Sequence, residues 1–248
     1  EGYKRYYSIL ADQDCCLTEN ANERQVIGHF FANLDKLITL HQRKLDILKQ
    51  YKIGVLHRIF DRTIHIQNSD QKSYPEWTEQ KLSSILKEYS DLNYSCFEQV
   101  AVGKYGIRLK ESTSDDISKN KVIYKNTLTI GMGGKQIDIG VLDTDASYSV
   151  SPAYTTYKII NCNSTFLNYY LMYLNKFLSN KYMITGARQG KSIDKDGFLS
   201  YKIKIPCIDE QTRIVELLKE VELAEYSQSK LLINLKQLKA SLLQQLFV

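Results

Sequence analysis

Apolar residues recur at alternating steps of three and four in two long stretches of the chain, from Glu23 to Phe60 and from Glu210 to Phe247. This heptad spacing is typical of a coiled-coil seam rather than of a broad buried helix face. The two stretches align with each other without a gap at a constant offset of 187 residues, so they form an internal repeat. The pattern therefore predicts two copies of one long helix, each roughly 57 Å long at 1.5 Å per residue.

The chain leaves the first helix at its C-terminal end and enters the second at its N-terminal end. In an antiparallel pair these two ends lie side by side, so the connection between them is shortest. We predict that pairing, with the intervening domain at one tip. His41 and Gln228 fall at the same seam position, where a buried polar residue fixes register at a cost in stability. The alternative is that both point outward. The predicted coiled-coil interface residues are Phe30, Leu34, Leu37, His41, Leu48, Leu217, Val221, Gln228, Leu231 and Leu235.

Between the helices the heptads stop, and shorter segments predict one globular α/β domain. Helices are expected at 77–89 and 165–179. Strands are expected at 97–102, 121–130, 137–142, 148–150, 155–160 and 199–205, separated by glycine and aspartate turns. The predicted class is α+β: one α/β domain plus two long helices paired as an antiparallel coiled coil. The predicted boundaries are 1–21 for an N-terminal remnant or extension, 22–60 for the first helix, 61–73 for a linker, 74–208 for the domain and 209–248 for the second helix.

Composition narrows the class of protein. Lys and Arg number 33 against 28 Asp and Glu, a net charge of +5 that leaves nucleic acid open as a partner. Hydrophobic residues make up 43% of the chain, enough to exclude extensive disorder. The N-terminus is polar, no apolar run is long enough to span a membrane, and the five cysteines are scattered. These features predict a cytoplasmic protein with reduced thiols.

Catalytic patterns are largely missing from the sequence. The glycines at 131–134 do not form GxGxxG, and neither a phosphate-binding loop nor a methyltransferase motif is present. The four histidines show no metal-ligand spacing. We therefore place neither cofactor-dependent methyl transfer nor nucleotide hydrolysis on this chain, and we predict no metal or cofactor for it.

Three loops, at 104–108, 134–136 and 186–192, combine basic and amide side chains with glycine. Such groups reach phosphate oxygens, and Arg and Gln can also make paired hydrogen bonds to purine edges. Each loop alone is more typical of a solvated turn, but three in one domain favour DNA. The candidate DNA-binding residues are Lys104, Tyr105, Arg108, Lys135, Gln136, Tyr154, Arg188, Gln189, Lys191 and Ser192.

Three segments of the sequence carry a family resemblance. Residues 23–45 look like a central conserved region, 148–154 (YSVSPAY) resembles a VSPAY motif, and 202–206 before Glu210 resembles a domain exit. Together they resemble the specificity (S) subunit of type I restriction-modification systems, in which target recognition domains alternate with conserved helices. A full-length member carries a second recognition domain before the first helix, whereas only residues 1–21 precede it here. The resemblance thus indicates a half-length form with one target recognition domain; the alternatives are a piece of a longer protein and a chain whose first domain was lost.

The resemblance implies a non-catalytic subunit that reads one half of a split DNA site, with the helices setting the spacer length. Partners would be methylation (M) subunits, which bring S-adenosylmethionine chemistry on adenine, and restriction (R) subunits that use ATP and Mg²⁺. If the chain is a natural half-length form, homodimerisation through its helices is expected, giving a symmetric split site. The alternatives left open are a coiled-coil adaptor with a peptide-binding head and a DNA-modifying enzyme with an unrecognised motif.

Overall fold

The computed structural model describes residues 18–68, 70–92, 97–103, 106–110, 119–186 and 190–246. The chain divides into two compact units. The helix-pair unit contains the described residues up to Ile53 and from Glu220 onward, and the globular unit runs from Gly54 to Lys219. The helices are α1 (Ala21–Phe60), α2 (Leu82–Ile85), α3 (Ser164–Tyr182), α4 (Lys195–Ser200) and α5 (Ile208–Leu246). The strands are β1 (Thr78–Lys81), β2 (Leu86–Tyr89), β3 (Val100–Gly103), β4 (Gly106–Leu109), β5 (Lys121–Ile123), β6 (Thr127–Met132), β7 (Ile137–Leu142), β8 (Tyr148–Val150), β9 (Thr155–Ile159), β10 (Met183–Gly186), β11 (Gly190–Ile193) and β12 (Lys202–Ile205).

The two long helices contain 40 and 39 residues, as the heptad repeat predicts. Helix α1 begins after Asn20, whose side-chain oxygen accepts a hydrogen bond from the Asn22 backbone N–H at 3.0 Å. It ends at Phe60, where Arg62 takes a positive φ of 59° and the Thr63 N–H donates back to the Arg58 carbonyl at 2.9 Å. A residue in the left-handed region satisfies the last carbonyls of a helix in this way.

The helix-pair unit is antiparallel, which confirms the prediction. Within this unit, the N-terminal part of α1 contacts the C-terminal part of α5. The C-terminal part of α1 in turn contacts the segment of α5 that begins at Glu220. The contacts that establish this direction are Asp35 with Lys239, His41 with Gln228, and Lys52 with Glu222.

The seam follows one predicted heptad row and not the other. Positions 34, 41 and 48 lie in it, and so do their repeat equivalents 221, 228 and 235. The second row is Ile38, Leu45 and Lys52 in α1, not the predicted Phe30 and Leu37, which are 50% and 40% exposed. In α5 the row passes through Glu225, Leu232 and Lys239, and the predicted Leu231 is 42% exposed. Leu217 instead packs against the core of the globular unit.

The lysines of this row have acidic partners on the opposite helix. Lys52 lies 3.2 Å from Glu222 and 3.3 Å from Glu225, and Lys239 pairs with Asp35. Burial lowers the pKa of Lys52, but the two carboxylates outweigh it and the pKa is raised. A lysine in the seam is therefore compensated across the interface.

The helix pair has an internal two-fold symmetry. Lys239 and Glu222 are the repeat equivalents of Lys52 and Asp35, so the two ion pairs are the same interaction made twice. The axis passes through the contact of the equivalent residues His41 and Gln228, whose Nδ1 and Nε2 atoms are 2.6 Å apart. Gln228 also donates to the His41 carbonyl at 3.1 Å and is only 6% exposed. The polar layer is therefore inside the seam.

Gln228→Ala is expected to lower the free energy of unfolding by about 1–2 kcal/mol, because it removes both hydrogen bonds and leaves a half-buried imidazole without that partner. Thermal unfolding followed by helical circular dichroism measures the loss. Gln237→Ala is the matched control, since Gln237 is exposed on the same helix. Equal melting temperatures for the two variants would show that the polar layer does not stabilise the pair.

The globular unit is built on a four-stranded antiparallel sheet in the order β2-β9-β6-β7. Helix α3 packs on β7 and β6, and Asn163 caps its N-terminus by accepting from the Phe166 N–H at 3.1 Å. The main core forms between them from buried side chains such as Leu128, Ile139 and Leu171. Two-stranded antiparallel pairs, β1-β12, β3-β4, β5-β8 and β10-β11, surround this sheet.

Three predicted elements of the globular unit are wrong in detail. The segment 77–89 is not one helix: only Leu82–Ile85 is helical, and the flanking strands pair with β12 and β9. The segment 121–130 is two strands, because Asn126 turns the chain with φ 63°. The segment 199–205 becomes strand only at Lys202, because Asp194 caps the short helix α4 before it.

An aromatic cluster joins Phe60, Trp77, Phe166, Tyr170 and Tyr173 in the globular unit. Phe60 stacks on Tyr170 with ring centroids 4.6 Å apart and meets Phe166 at 5.7 Å. The Trp77 Nε1–H donates to Glu210 Oε1 at 3.1 Å. Burial raises the pKa of Glu210, and the Trp77 hydrogen bond opposes that shift. The single Trp thus anchors the first turn of α5 within this unit.

Candidate DNA-binding surface

Three hairpins of the globular unit carry the candidate residues. Arg108 lies on β4, Lys135 and Gln136 lie in the turn between β6 and β7, and Lys191 and Ser192 lie on β11. All are exposed except Gln136, which is half-buried. We call these five residues the hairpin surface. Lys104, Tyr105, Arg188 and Gln189 lie outside the described residues.

The β6–β7 turn is tight. The Gly133 N–H donates to the Gln136 carbonyl at 3.1 Å, and a Cβ at position 133 would lie 2.7 Å from Asp138 Oδ1. Glycine is therefore required where the chain reverses. The turn presents Lys135 and Gln136 at its tip.

The β10–β11 hairpin meets this turn directly. The Lys191 ammonium donates to the Gly134 carbonyl, and β11 contacts β6. Two of the three loops predicted from composition are therefore brought together. This hydrogen bond also gives Lys191 a structural role in holding the two hairpins.

The β3–β4 hairpin lies on β7. A Cβ at Gly140 would lie 2.8 Å from Ile107 Cγ1 and 2.9 Å from Val102 Cγ1, so only glycine allows this approach. Burial raises the pKa of Asp138 on β7, and the positive charge of Arg108, on the same hairpin, opposes that shift. The third loop's Arg108 thus belongs to the same region as Gln136.

Helix α3 supports the hairpin surface through residues that the sequence reasoning missed. Asn175 Nδ2 donates to the Ile137 carbonyl at 2.9 Å, and Ser179 Oγ accepts from the Ile137 N–H at 2.9 Å. Ser179 Oγ also donates to Asn175 Oδ1 at 2.9 Å. Asn175 and Ser179 lie four residues apart, on one face of the helix, and this spacing was the available signal. They fix the backbone next to Gln136.

Tyr154 makes contacts within the domain that the sequence did not predict. Its ring lies against Gly131, and its hydroxyl is within 3.3 Å of both the backbone nitrogen and the carbonyl oxygen of Val102. The Lys121 ammonium donates to its carbonyl at 2.6 Å. The structure uses this side chain for packing and hydrogen bonding within the domain, and its assignment to DNA stays a prediction.

The hairpin surface has the chemistry of nucleic-acid recognition. Arg108, Lys135 and Lys191 supply positive charge for phosphate, and Gln136 and Ser192 add groups that hydrogen bond to bases or phosphates. Over the described residues, no group of His, Cys, Asp and Glu is placed to hold a metal ion. Within the same part of the chain, no helix is both long and apolar enough to cross a membrane.

Comparison with known families decides the class of the protein. Residues 77–237 match the model of the type I restriction modification DNA specificity domain. The chain belongs to this family. The match covers most of the globular unit and continues into α5, so the specificity-domain family includes both the hairpin surface and part of the helix pair.

Solved structures of specificity subunits have the same fold. The HsdS subunit from Thermoanaerobacter tengcongensis is 16% identical, with 90% of this chain and 57% of that chain covered and a TM-score of 0.54. The S subunit from M. genitalium is 15% identical, with 94% and 62% covered and a TM-score of 0.56. A chain from a structure of type I R-M complex assembly and conformational transition is 16% identical, with 92% and 60% covered and a TM-score of 0.50. No curated protein matches the sequence.

This specificity-family chain spans about three fifths of the length of those subunits. The identities are low enough that the likeness shows a shared fold and not a shared DNA sequence. The predicted mixed architecture of long helices and an α/β domain is confirmed by these neighbours.

Proposed function

We propose that this chain reads one half of a split DNA site for a type I restriction-modification complex. The hairpin surface carries the proposal, because three separate hairpins bring Arg108, Lys135 and Lys191 to one region of a domain of the specificity family. Phosphate contacts would position the domain, and Gln136 and Arg108 would read base edges. In this proposal the chain would not carry a catalytic group of its own.

The helix pair would set the distance between half-sites. Its seam is fixed by the His41–Gln228 layer and by two equivalent ion pairs, so its register is specific. At 1.5 Å per residue, 40 helical residues extend about 60 Å, comparable with one to two turns of DNA. A fixed register would give a fixed spacer.

Methylation subunits would dock on the exposed apolar side of the same helices. Beside the seam, α1 exposes Phe30, Leu37, Leu40, Ile47 and Tyr51, and α5 exposes Leu231 and Leu238. Phe30, Leu37 and Tyr51 recur at multiples of seven residues, as do Leu231 and Leu238, which suits a further apolar helix. A second copy of this chain is the other occupant that we propose, and it would give a symmetric split site.

The assembled complex, working in the cytoplasm, would supply the chemistry. Methylation subunits would transfer a methyl group from S-adenosylmethionine to adenine, and restriction subunits would use ATP and Mg²⁺ to cut DNA. This chain would determine where both reactions occur.

The experiment is to co-express the chain with its methylation subunits, treat a random DNA library with S-adenosylmethionine, and map methylated adenines. We expect one split motif, absent when this chain is omitted. A palindromic motif would indicate two copies of the chain, and an asymmetric one would indicate a different second recognition domain. Methylation without sequence preference, or with the same preference when this chain is omitted, would refute the proposal.

A further inference from the structure

The β3–β4 hairpin is attached to the central sheet through Tyr154. The ring of Tyr154 covers Gly131 so closely that a Cβ at that position would overlap two of its ring carbons. Its hydroxyl lies 3.3 Å from the Val102 nitrogen and 3.3 Å from the Val102 oxygen, so it can accept from one and donate to the other. One side chain therefore connects β6 to β3.

Ser149, five residues earlier, makes a second attachment. Its backbone N–H donates to the Glu98 carbonyl at 2.9 Å, and its hydroxyl donates to the Phe97 carbonyl at 3.2 Å. The segment from Tyr148 to Tyr154 thus holds the hairpin both just before β3 begins and within β3. This is the segment that resembles the VSPAY motif.

These contacts fix the distance between the β3–β4 hairpin and the β6–β7 hairpin. The β3–β4 hairpin carries Arg108, whereas β6 and β7 carry the turn with Lys135 and Gln136. Paired hydrogen bonds to a base edge tolerate only small errors in distance and angle. If the β3–β4 hairpin shifted on β7, the distance between Arg108 and Gln136 would change. The two side chains could then not contact their bases at the same time.

We propose that Tyr154 is a positioning residue for DNA reading, which holds Arg108 at a fixed distance from Lys135 and Gln136. The inference rests on the proposed function. Tyr154 does not contact DNA in this arrangement. It acts through Val102 and the hairpin, and Gly131 is small because the ring must lie there.

The test is Tyr154→Phe in the complex with methylation subunits. This change removes the hydroxyl and keeps the ring on Gly131. We expect the ratio of specific to non-specific DNA affinity to fall roughly tenfold, while non-specific affinity and its salt dependence stay unchanged. Tyr124→Phe is the matched control, since its hydroxyl donates to Asp91 at 2.5 Å, a residue outside the β3–β4 hairpin. The control should keep the wild-type ratio.

Amide hydrogen exchange on the free chain provides a readout that does not depend on DNA. The Val102 amide and its neighbours in β3 should exchange faster in Tyr154→Phe than in wild type or Tyr124→Phe. Gly131→Ala, which displaces the ring, should accelerate the same amides and lower the same affinity ratio.

Two results would overturn the proposal. An unchanged affinity ratio in Tyr154→Phe would remove the positioning role, and equal losses of specific and non-specific affinity would make Tyr154 a direct DNA contact. If the wild-type complex shows no sequence preference, the proposed function fails instead. Hydrogen exchange then still decides whether Tyr154 anchors the hairpin: unchanged exchange at Val102 would reject it.

Discussion

Replacing Phe60 by alanine should lower the free energy of unfolding of the globular unit by about 3–5 kcal/mol, the usual cost of removing a buried phenylalanine. Phe60 is 6% exposed and contacts four aromatic rings, including Tyr170 at 4.6 Å and Phe166 at 5.7 Å. Removal of the ring would leave a cavity, and the neighbouring aromatic rings are too rigid to move into it. The melting temperature should fall by roughly 10 °C.

Phe177→Ala is the matched control because Phe177 lies in the same unit but is 47% exposed, with Tyr201 at a ring-centroid distance of 5.5 Å and the Lys181 ammonium 5.6 Å from its ring. We expect a loss of about 1 kcal/mol or less there. Denaturant unfolding monitored by Trp77 fluorescence measures both variants, since Trp77 belongs to the same cluster. Similar losses for the two variants would show that the aromatic cluster is not central to the stability of the unit.

The long helices could be predicted from the sequence because their period is local. Heptad spacing repeats within each stretch, and the copy at an offset of 187 residues repeats it again. The choice between two neighbouring heptad rows could not be predicted in the same way. It depends on Lys52 meeting Glu222 and Lys239 meeting Asp35, contacts between residues far apart in the chain. When those partners are not known, a row that contains Lys52 or Lys239 is a poorer candidate for the seam than the row that contains Phe30 and Leu37.

The globular unit shows the same division between local and distant causes. Leu82, Ile85 and Leu86 have helical spacing, but strands on either side of α2 pair with β12 and β9, which lie far along the chain. Likewise, loop composition pointed to Arg108, Lys135 and Lys191, whereas their convergence depends on Gly140 and on the Lys191–Gly134 hydrogen bond. The hydrogen bond of Tyr154 to Val102 joins residues 52 positions apart, so local sequence could not predict it either.

Reversing two charges on the hairpin surface should have the largest effect on function. In the complex with methylation subunits, Arg108→Glu combined with Lys135→Glu should weaken binding to the recognised DNA at least ~100-fold, because two phosphate or base contacts are lost and two repulsive charges are added. The salt dependence of binding should also become shallower by about two counterions. Fluorescence anisotropy with labelled duplexes at several salt concentrations measures both quantities.

Lys125→Glu combined with Lys158→Glu is the matched control. It changes the net charge by the same amount. Lys125 forms an ion pair with Asp145, and Lys158 on β9 lies opposite Thr127 in the sheet. Thr127 is at the end of β6 that is remote from the Lys135 turn. Both lysines are exposed, so folding should be preserved. We expect only a severalfold loss from the general change in charge. If the two double variants weaken specific binding equally, net charge alone accounts for the effect, and the hairpin surface is not where this chain reads DNA.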